Sequence, residues 1–170
     1  STQKTKSVWW GNKIHKITTL SNTHGSDLTR KEIILIGPMG AGKSTLSQLL
    51  ASRLEISQCS VDDQRWRYYN EIGYDEHTAL YREKTNGFLG LYNYWKRFEI
   101  HTVERILQDN VNCVFDFGAG HSVYENPDYL ARAQCVLSHF PNIYLLLPTI
   151  DEKESLEILA SRKNILDKNI

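Results

Sequence analysis

The stretch from Gly37 to Ser44 combines three glycines, one lysine and one serine at the spacing of a loop that binds nucleotide phosphates. Glycine lets the backbone curl so that several N–H groups point at phosphate oxygens. Lys43 is expected to reach the β- and γ-phosphates and to act in catalysis by neutralising charge, and Ser44 is expected to offer its hydroxyl to Mg²⁺. The residues predicted to bind ATP are Gly37, Gly40, Ala41, Gly42, Lys43, Ser44 and Thr45.

Two carboxylates follow other short segments and are candidates for acid–base and metal chemistry. Asp62 comes after the segment SQCSV, and Asp116 lies near the end of NCVFDFG. A carboxylate beyond a strand that neighbours the phosphate loop can orient an acceptor hydroxyl and take its proton, which is the catalytic role predicted for Asp62. Asp116 is predicted to form the magnesium site together with Ser44. Each acid has a plainer alternative, because Asp62 can cap the following helix and Asp116 can cap a loop.

Short apolar runs alternate with longer amphipathic runs from Lys31 onward, which predicts an α/β fold with a mostly parallel sheet. The predicted strands are EIILIG, SQCSV, NCVFDFG and NIYLLLP. The predicted helices are KSTLSQLLASRL, the region from Gln64 to Gln108 with interruptions near Gly73 and at Gly87 and Gly90, residues 127–139, and DEKESLEILASRK. Such sheets bind ligands beyond the carboxyl ends of their strands, where the phosphate loop and both acids are expected.

The sequence GPMGAGKSTLSQLLASRL resembles the shikimate kinase family, and the resemblance extends roughly from Ile33 to Arg162. It implies an α/β P-loop kinase fold with three layers, α/β/α, around a mostly parallel central sheet of about four to five strands. It also implies that the γ-phosphoryl group of ATP, with Mg²⁺ as cofactor, is transferred to a hydroxyl of a small anionic acceptor. Arg162, at the end of the last predicted helix, resembles the family's arginine near the adenine.

The family's acidic pair, with the pattern D-x-D, falls on Ser60 and Asp62. The resemblance implies that Asp62 contacts the acceptor hydroxyl. Ser60 stands where the family has the acid associated with the metal, so Asp63 or Asp116 is left to substitute for it.

Two further family sites concern the acceptor. The family's Phe-Arg pair, whose arginine clamps the substrate carboxylate, falls on Lys96 and Arg97, and the guanidinium fork suits such a carboxylate. The alternative for Arg97 is a solvated basic turn. The family's glycine run, where the backbone approaches the substrate, makes Gly118 and Gly120 predicted substrate contacts. His121 follows them and departs from the family pattern.

Two other functions stay open. The segment DDQR, from Asp62 to Arg65, resembles an element of polynucleotide 5′-kinases whose arginine holds a phosphate of the acceptor strand, so Arg65 is also a candidate substrate contact. Basic and aromatic residues interleave in RWRYYN and YNYWKRF, as in single-strand binders, but aromatic stripes more often form a core, and the formal net charge of zero disfavours nucleic acid. Ser60, the altered glycines and a missing lid suggest instead a nucleotide-binding module with little or no catalytic activity.

The chain of 170 residues is expected to form one domain, 31–170, preceded by an N-terminal arm or hairpin, 1–30. The alternating sequence SVWWGNKIHKITTL suggests that this arm supplies an additional edge strand. The family's lid, last strand and last helix are expected to be missing or truncated. No apolar run is long enough to span a membrane, and a reducing, cytoplasmic compartment is expected to keep three scattered thiols as small buried residues. These thiols are Cys59, Cys113 and Cys135.

Overall fold

The computed structural model describes the backbone of residues 4–10, 13–19 and 31–167, and the side chains of residues 31–162. The strands are β1 (Lys4–Trp10), β2 (Lys13–Thr19), β3 (Ile33–Ile36), β4 (Ser57–Ser60), β5 (Cys113–Asp116) and β6 (Ile143–Leu145). The helices are α1 (Lys43–Leu54), α2 (Val61–Glu71), α3 (Glu76–Asp109), α4 (Pro127–Leu137) and α5 (Glu152–Asp167), with a 3₁₀ turn at Ala119–Ser122. None of the helices in these ranges has the length and apolar character that a membrane span requires.

The strands β4, β5, β3 and β6 lie side by side in that order and run parallel. The predicted mostly parallel sheet is confirmed. Ile34 and Leu35 are neighbours in β3 but belong to separate apolar clusters. The cluster of Ile34 includes Val103 and Ile106 of α3, whereas the cluster of Leu35 includes Ala51 of α1. Helices therefore cover both faces of the sheet, and the predicted three-layer fold is confirmed as well.

The long helix-prone region is divided at two of its three glycines. Gly73 lies in the loop between α2 and α3, with a φ of 75°. Gly87 bends α3, because its φ of 62° and ψ of −162° are not helical. Gly90 does not interrupt the helix; it lets the backbone pass close to the carbonyl oxygen of Arg82, where a side chain has no room.

The N-terminal segment contributes two strands to the sheet. β1 and β2 form an antiparallel hairpin, and β2 lies antiparallel to β6 with Thr19 opposite Tyr144. The described sheet therefore has six strands, in the order β1-β2-β6-β3-β5-β4. Other parts of the predicted arm and domain lie outside the described residues, namely 1–3, 11–12, 20–30 and 168–170.

The cysteines do not share one environment. Cys59 and Cys113 are free and buried, as predicted, but the free thiol of Cys135 is exposed. Cys135 follows Ala133 by two positions on α4, and Ala133 is the residue of that helix that is buried. Two positions turn a helical side chain to nearly the opposite side, which is why the expectation of burial is wrong for Cys135.

Removing residues 1–26 is expected to lower the melting temperature, because β6 loses the backbone partner that β2 provides. A loss of about 1–2 kcal/mol in the free energy of unfolding lowers the melting temperature of a chain of this size by about 2–8 °C. Thermal unfolding followed by circular dichroism measures the change. A chain in which a Gly/Ser sequence of equal length replaces residues 1–26 controls for chain length. Equal melting temperatures in all three proteins would contradict a structural role for the hairpin.

Candidate active site

The phosphate loop joins the end of β3 to the start of α1. Three of its glycines have φ angles in the left-handed region, with 143° at Gly37, 78° at Gly40 and 93° at Gly42. Residues with side chains rarely adopt such angles, and at Gly37 a side chain would also collide with the carbonyl group of Leu146. The residues predicted to bind ATP therefore form a curled backbone at the positive end of a helix, which favours anions.

Lys43 is the buried cation of this loop, with 8% of its surface exposed. Its Nζ donates hydrogen bonds to the carbonyl oxygens of Gly37 and Pro38, both at 2.8 Å. Burial lowers the pKa of Lys43, while the charges of Asp62 and Asp116 act in the opposite direction. The ammonium group is thus held within the loop and lies close enough to both carboxylates to interact with their charge.

Asp116 ends β5 and is buried between α1 and β4. Its Oδ2 accepts hydrogen bonds from Ser47 Oγ at 2.5 Å and from Gln58 Nε2 at 2.7 Å. Ser47 lies one turn after Ser44 on α1, and its Oγ is 2.9 Å from the carbonyl oxygen of Ser44. The predicted metal-side acid is therefore anchored to the same helix turn that carries the predicted metal-binding serine.

The described residues contain no group of three or more His, Cys, Asp or Glu side chains that could hold a metal ion by themselves. Mg²⁺ commonly uses one or two protein ligands and completes its octahedron with water and nucleotide phosphates. The exposed side chain of Ser44 and the carboxylate of Asp116 could provide these one or two protein ligands. Thr45, which follows Ser44, is also exposed on the first turn of α1.

Asp62 lies in the first turn of α2, directly after β4. The helix is capped by Ser60, whose Oγ accepts a hydrogen bond of 3.4 Å from the backbone N–H of Asp63. Asp62 is therefore not needed for capping. The carboxylate of Asp62 is 55% exposed and lies 3.6 Å from Nη1 of Arg65.

Asp62 meets the turn after β5 at Gly118 and His121. A side chain at position 118 would collide with the carboxylate of Asp62 and with the ring of His121. His121 is 1% exposed, and its Nδ1 lies 3.9 Å from Oδ1 of Asp62. Burial, and then the charges of Arg65 and Lys96, lower the pKa of His121 to about 3. The imidazole is therefore neutral at physiological pH.

The same turn contacts a buried ion pair between Lys96 and Glu99 of α3. Lys96 Nζ donates to Glu99 Oε2 at 2.6 Å, and to the carbonyl oxygens of Gly120 and Val123 at 2.9 and 3.0 Å. These bonds use the three donors of an ammonium group. Burial raises the pKa of Glu99, and a side chain at Gly120 would collide with its carboxylate. Lys96 and Glu99 thus hold the turn that carries both predicted substrate glycines.

Arg97, the predicted carboxylate clamp, is not brought to this cluster. Its Nη2 donates to the carbonyl oxygen of Ile72 at 3.2 Å, and its guanidinium group lies 4.8 Å from the centre of the Phe98 ring. It lines a separate cavity of about 580 Å³ together with Arg82 and Tyr129. The basic residue of α3 that reaches the turn after β5 is Lys96, one position before the residue that the sequence favoured.

Arg162 connects α5 to the phosphate loop. Its Nη1 donates a hydrogen bond of 2.5 Å to the carbonyl oxygen of Gly40. Leu159, one turn earlier on α5, also faces Gly40, since a Cβ atom at position 40 would lie 3.8 Å from the Leu159 side chain. The residue that resembles the family's arginine near the adenine is therefore at the loop itself.

Sequence reasoning missed three polar residues that fix this site, namely Ser47, Gln58 and Glu99. The spacing of Lys96 and Glu99 is the i,i+3 spacing of helical ion pairs, so a signal for that pair was present. No comparable signal exists for Ser47 and Gln58, since their bonds to Asp116 join residues 69 and 58 positions apart in the chain.

A family model described as an AAA domain matches residues 33–163 of the chain. Among curated proteins, the shikimate kinase of Streptomyces coelicolor is 44% identical over 54 residues, which are 29% of this chain and 32% of that protein. The chain thus spans about a third of the length of the curated relative it matches. The resemblance to shikimate kinases that the phosphate-loop sequence indicated is confirmed by this match.

Solved structures of shikimate kinases are similar as well. The protein from Bacteroides thetaiotaomicron is 23% identical with a TM-score of 0.38, covering 60% of this chain and 52% of that chain. The protein from Acinetobacter baumannii, in complex with shikimate, is 18% identical with a TM-score of 0.39, covering 82% and 80%. The protein from Aquifex aeolicus is 20% identical with a TM-score of 0.39, covering 81% and 82%.

Replacing Ser47 by Ala is expected to destabilise the protein by about 1–3 kcal/mol, because the buried carboxylate of Asp116 loses a donor. Ser52→Ala, at an exposed position of the same helix, is the matched control and should change stability by less than about 0.5 kcal/mol. Urea unfolding followed by tryptophan fluorescence measures both variants. Equal stability of the two variants would contradict the importance of the bond to Asp116.

Proposed function

The chain belongs to the AAA domain family, and on this premise we propose that it is an ATP-dependent phosphotransferase of the shikimate-kinase type. The reaction moves the γ-phosphoryl group of ATP to a hydroxyl group of a small acceptor, with Mg²⁺ as cofactor. The observation that carries the proposal is the position of Lys43. Its ammonium group lies inside a loop of left-handed glycines and within electrostatic reach of Asp62 and Asp116. A phosphate cradle, a candidate base and a candidate metal-side acid therefore share one edge of the sheet.

On the nucleotide side, the backbone amides of residues 37–45 bind phosphate oxygens, and Lys43 opposes the charge that develops on them. Arg162 lies against the loop from α5 and contributes to nucleotide binding. Ser44 and Asp116 are the residues that would hold Mg²⁺, which when bound neutralises and orients the phosphates. The anchoring of Asp116 by Ser47 supports its part in this role, because a fixed carboxylate needs no reorganisation.

On the acceptor side, Asp62 orients the acceptor hydroxyl and takes its proton. The acceptor oxygen bonds to the γ-phosphorus, the bond from that phosphorus to the bridging oxygen breaks, and ADP leaves with the electron pair. The exposure of the Asp62 carboxylate and the capping of α2 by Ser60 support this assignment, since Asp62 is open to solvent and is not used for the cap. Gly118 and Gly120 lie in the neighbouring turn, against Asp62 and Glu99 respectively, so their proposed contact with the acceptor is through the backbone of the turn.

An anionic group on the acceptor would be bound by Arg65, whose Nη1 lies 3.6 Å from Asp62. Lys96 is less suited to this role, because its donors are used by Glu99 and two carbonyl oxygens. Arg97 would contribute only if the acceptor extends to the cavity that Arg97 lines.

A polynucleotide acceptor would use the same Asp62 and Arg65 pair. The aromatic residues that would stack on its bases are instead engaged with one another. Tyr69 and Phe98 are buried with ring centres 5.3 Å apart, whereas Trp66 is 43% exposed. This packing disfavours an extended nucleic-acid surface, and a nucleotide-binding module without transfer remains the other alternative.

An assay of ADP release with a panel of acceptors separates these functions. The panel contains shikimate, sugar acids, uncharged polyols and an oligonucleotide with a free 5′-hydroxyl. Stimulation by a small hydroxylated compound supports the proposal. Stimulation by the oligonucleotide alone, with an affinity that falls steeply as salt rises, would show that the acceptor is a polynucleotide and not a small molecule. Binding of Mg·ATP without stimulation by any acceptor would overturn the transfer reaction.

Replacing Lys43 by Met is expected to weaken Mg·ATP binding by about 10- to 100-fold, because a charge-assisted contact to the phosphates is lost. Isothermal titration calorimetry measures the affinity. Lys84→Met, at an exposed position of α3, is the control and should bind Mg·ATP as the unmodified protein does. Equal affinities for the two variants would contradict the assignment of Lys43.

Replacing Asp62 by Asn is expected to lower kcat by about 10²- to 10⁴-fold, since the amide cannot take the acceptor's proton. Affinity for Mg·ATP should stay within a factor of about two, because the phosphate loop is unchanged. Asp128→Asn, on the exposed first turn of α4, controls for the loss of a carboxylate. Full turnover in Asp62→Asn would remove Asp62 from the mechanism.

A further inference from the structure

His121 is a buried side chain with neither ring nitrogen in a hydrogen bond. It is 1% exposed, and both Nδ1 and Nε2 lack a partner among the described residues. Buried polar atoms are nearly always hydrogen-bonded, and an orphaned one destabilises the fold. The imidazole lies beside a proposed catalytic carboxylate, so a hydrogen bond between the two would explain why the ring is buried here.

The backbone around His121 is held firmly. Its N–H donates to the carbonyl oxygen of Gly118 at 3.0 Å, and its own carbonyl oxygen accepts from the hydroxyl of Tyr124 at 3.0 Å. The ring is enclosed on one side by Gly118, where a side chain would collide with it. His121 is therefore the fixed member of its contact with Asp62.

Asp62 is the movable member of the contact. Its carboxylate is 55% exposed, and its Oδ1 lies 3.9 Å from His121 Nδ1 and 3.6 Å from Arg65 Nη1. A hydrogen bond from imidazole to carboxylate needs about 2.7–3.0 Å. A rotation of the Asp62 side chain that moves Oδ1 by about 1 Å closes this gap, and Gly118 leaves the space between them open.

Because His121 is neutral, one ring nitrogen carries a hydrogen and the other a lone pair. Only the form with the hydrogen on Nδ1 can donate to Asp62. That form leaves Nε2 as an acceptor. This tautomer thus provides a partner for the orphaned Nδ1.

We propose that His121 is a positioning residue that donates a hydrogen bond from Nδ1 to Asp62 and fixes the carboxylate in the orientation that receives the acceptor's proton. This inference rests on the proposed transfer reaction. His121 itself touches neither ATP nor the acceptor. Its effect is on kcat, because it restricts Asp62 to the reactive orientation before transfer takes place.

Two amide variants distinguish this role from mere packing. The amide nitrogen of Asn is bonded to Cγ, like Nδ1 of histidine, whereas the amide nitrogen of Gln lies one bond farther out, like Nε2. With the acceptor that gives the highest turnover, His121→Ala and His121→Gln should lower kcat about tenfold or more, with KM for ATP unchanged. His121→Asn should restore most of the loss. His77→Asn, at an exposed position, is the control and should have no effect.

Equal losses of kcat in His121→Asn and His121→Gln would overturn the proposal, because the proposal requires that a donor at the position of Nδ1 restores activity and a donor at the position of Nε2 does not. Full activity of His121→Ala would overturn it as well. A parallel rise in the KM for ATP would indicate a distorted phosphate loop and would likewise count against a positioning role.

A measurement that needs no turnover separates this inference from the proposed function. Nitrogen NMR of the labelled histidine ring at about pH 7 should find a neutral imidazole with its hydrogen on Nδ1. Asp62→Asn should change the Nδ1 signal, whereas Asp128→Asn should not. A hydrogen on Nε2, or a signal indifferent to Asp62→Asn, would overturn the hydrogen bond. If no acceptor is ever phosphorylated, the transfer reaction fails, while this spectrum still decides whether the bond forms.

Discussion

The buried ammonium group of Lys43 is the constraint on which the rest of the site depends. Removing a cation from water is unfavourable unless other groups replace the water. Here the replacements are the carbonyl oxygens of Gly37 and Pro38, and the charges of Asp62 and Asp116. Asp62 follows β4 and Asp116 ends β5. Both acids can approach Lys43 because β5 lies parallel to β3 and beside it, and β4 lies parallel to β5 on its other side. The strand order and the position of one lysine are thus parts of the same arrangement.

The charges at the turn after β5 have a different role. Lys96 and Glu99 neutralise each other and bind the turn after β5, so this buried cation maintains structure. The resemblance to shikimate kinases implied a free arginine clamp in this part of α3. Such a clamp is not formed by Lys96, and Arg97 lies elsewhere. Arg65 on α2 is the cation beside Asp62, so the cation that pairs with the proposed base comes from α2 and not from α3.

The sequence was sufficient where a feature depends on residues close together in the chain. The phosphate-loop spacing, the four parallel strands and the break at Gly87 are all local patterns, and the structure has them. The different directions of Lys96 and Arg97 illustrate the limit, because one position changes the direction of a helical side chain by about 100°, and only Lys96 of these two reaches the turn after β5. The contacts of Asp116 with Ser47 and Gln58 could not be predicted for another reason. They depend on the packing of α1 against a completed sheet, which no local pattern encodes.

The hairpin of β1 and β2 determines where the sheet is open to other chains. Because β2 lies against β6, the last parallel strand has neighbours on both sides. The outer strands of the described sheet are therefore β1 and β4. β4 has four residues and offers few unpaired backbone groups, whereas β1 has seven. Another molecule that pairs its backbone with this sheet would find its longer template at β1, so the N-terminal border is where assembly or aggregation by strand addition would begin.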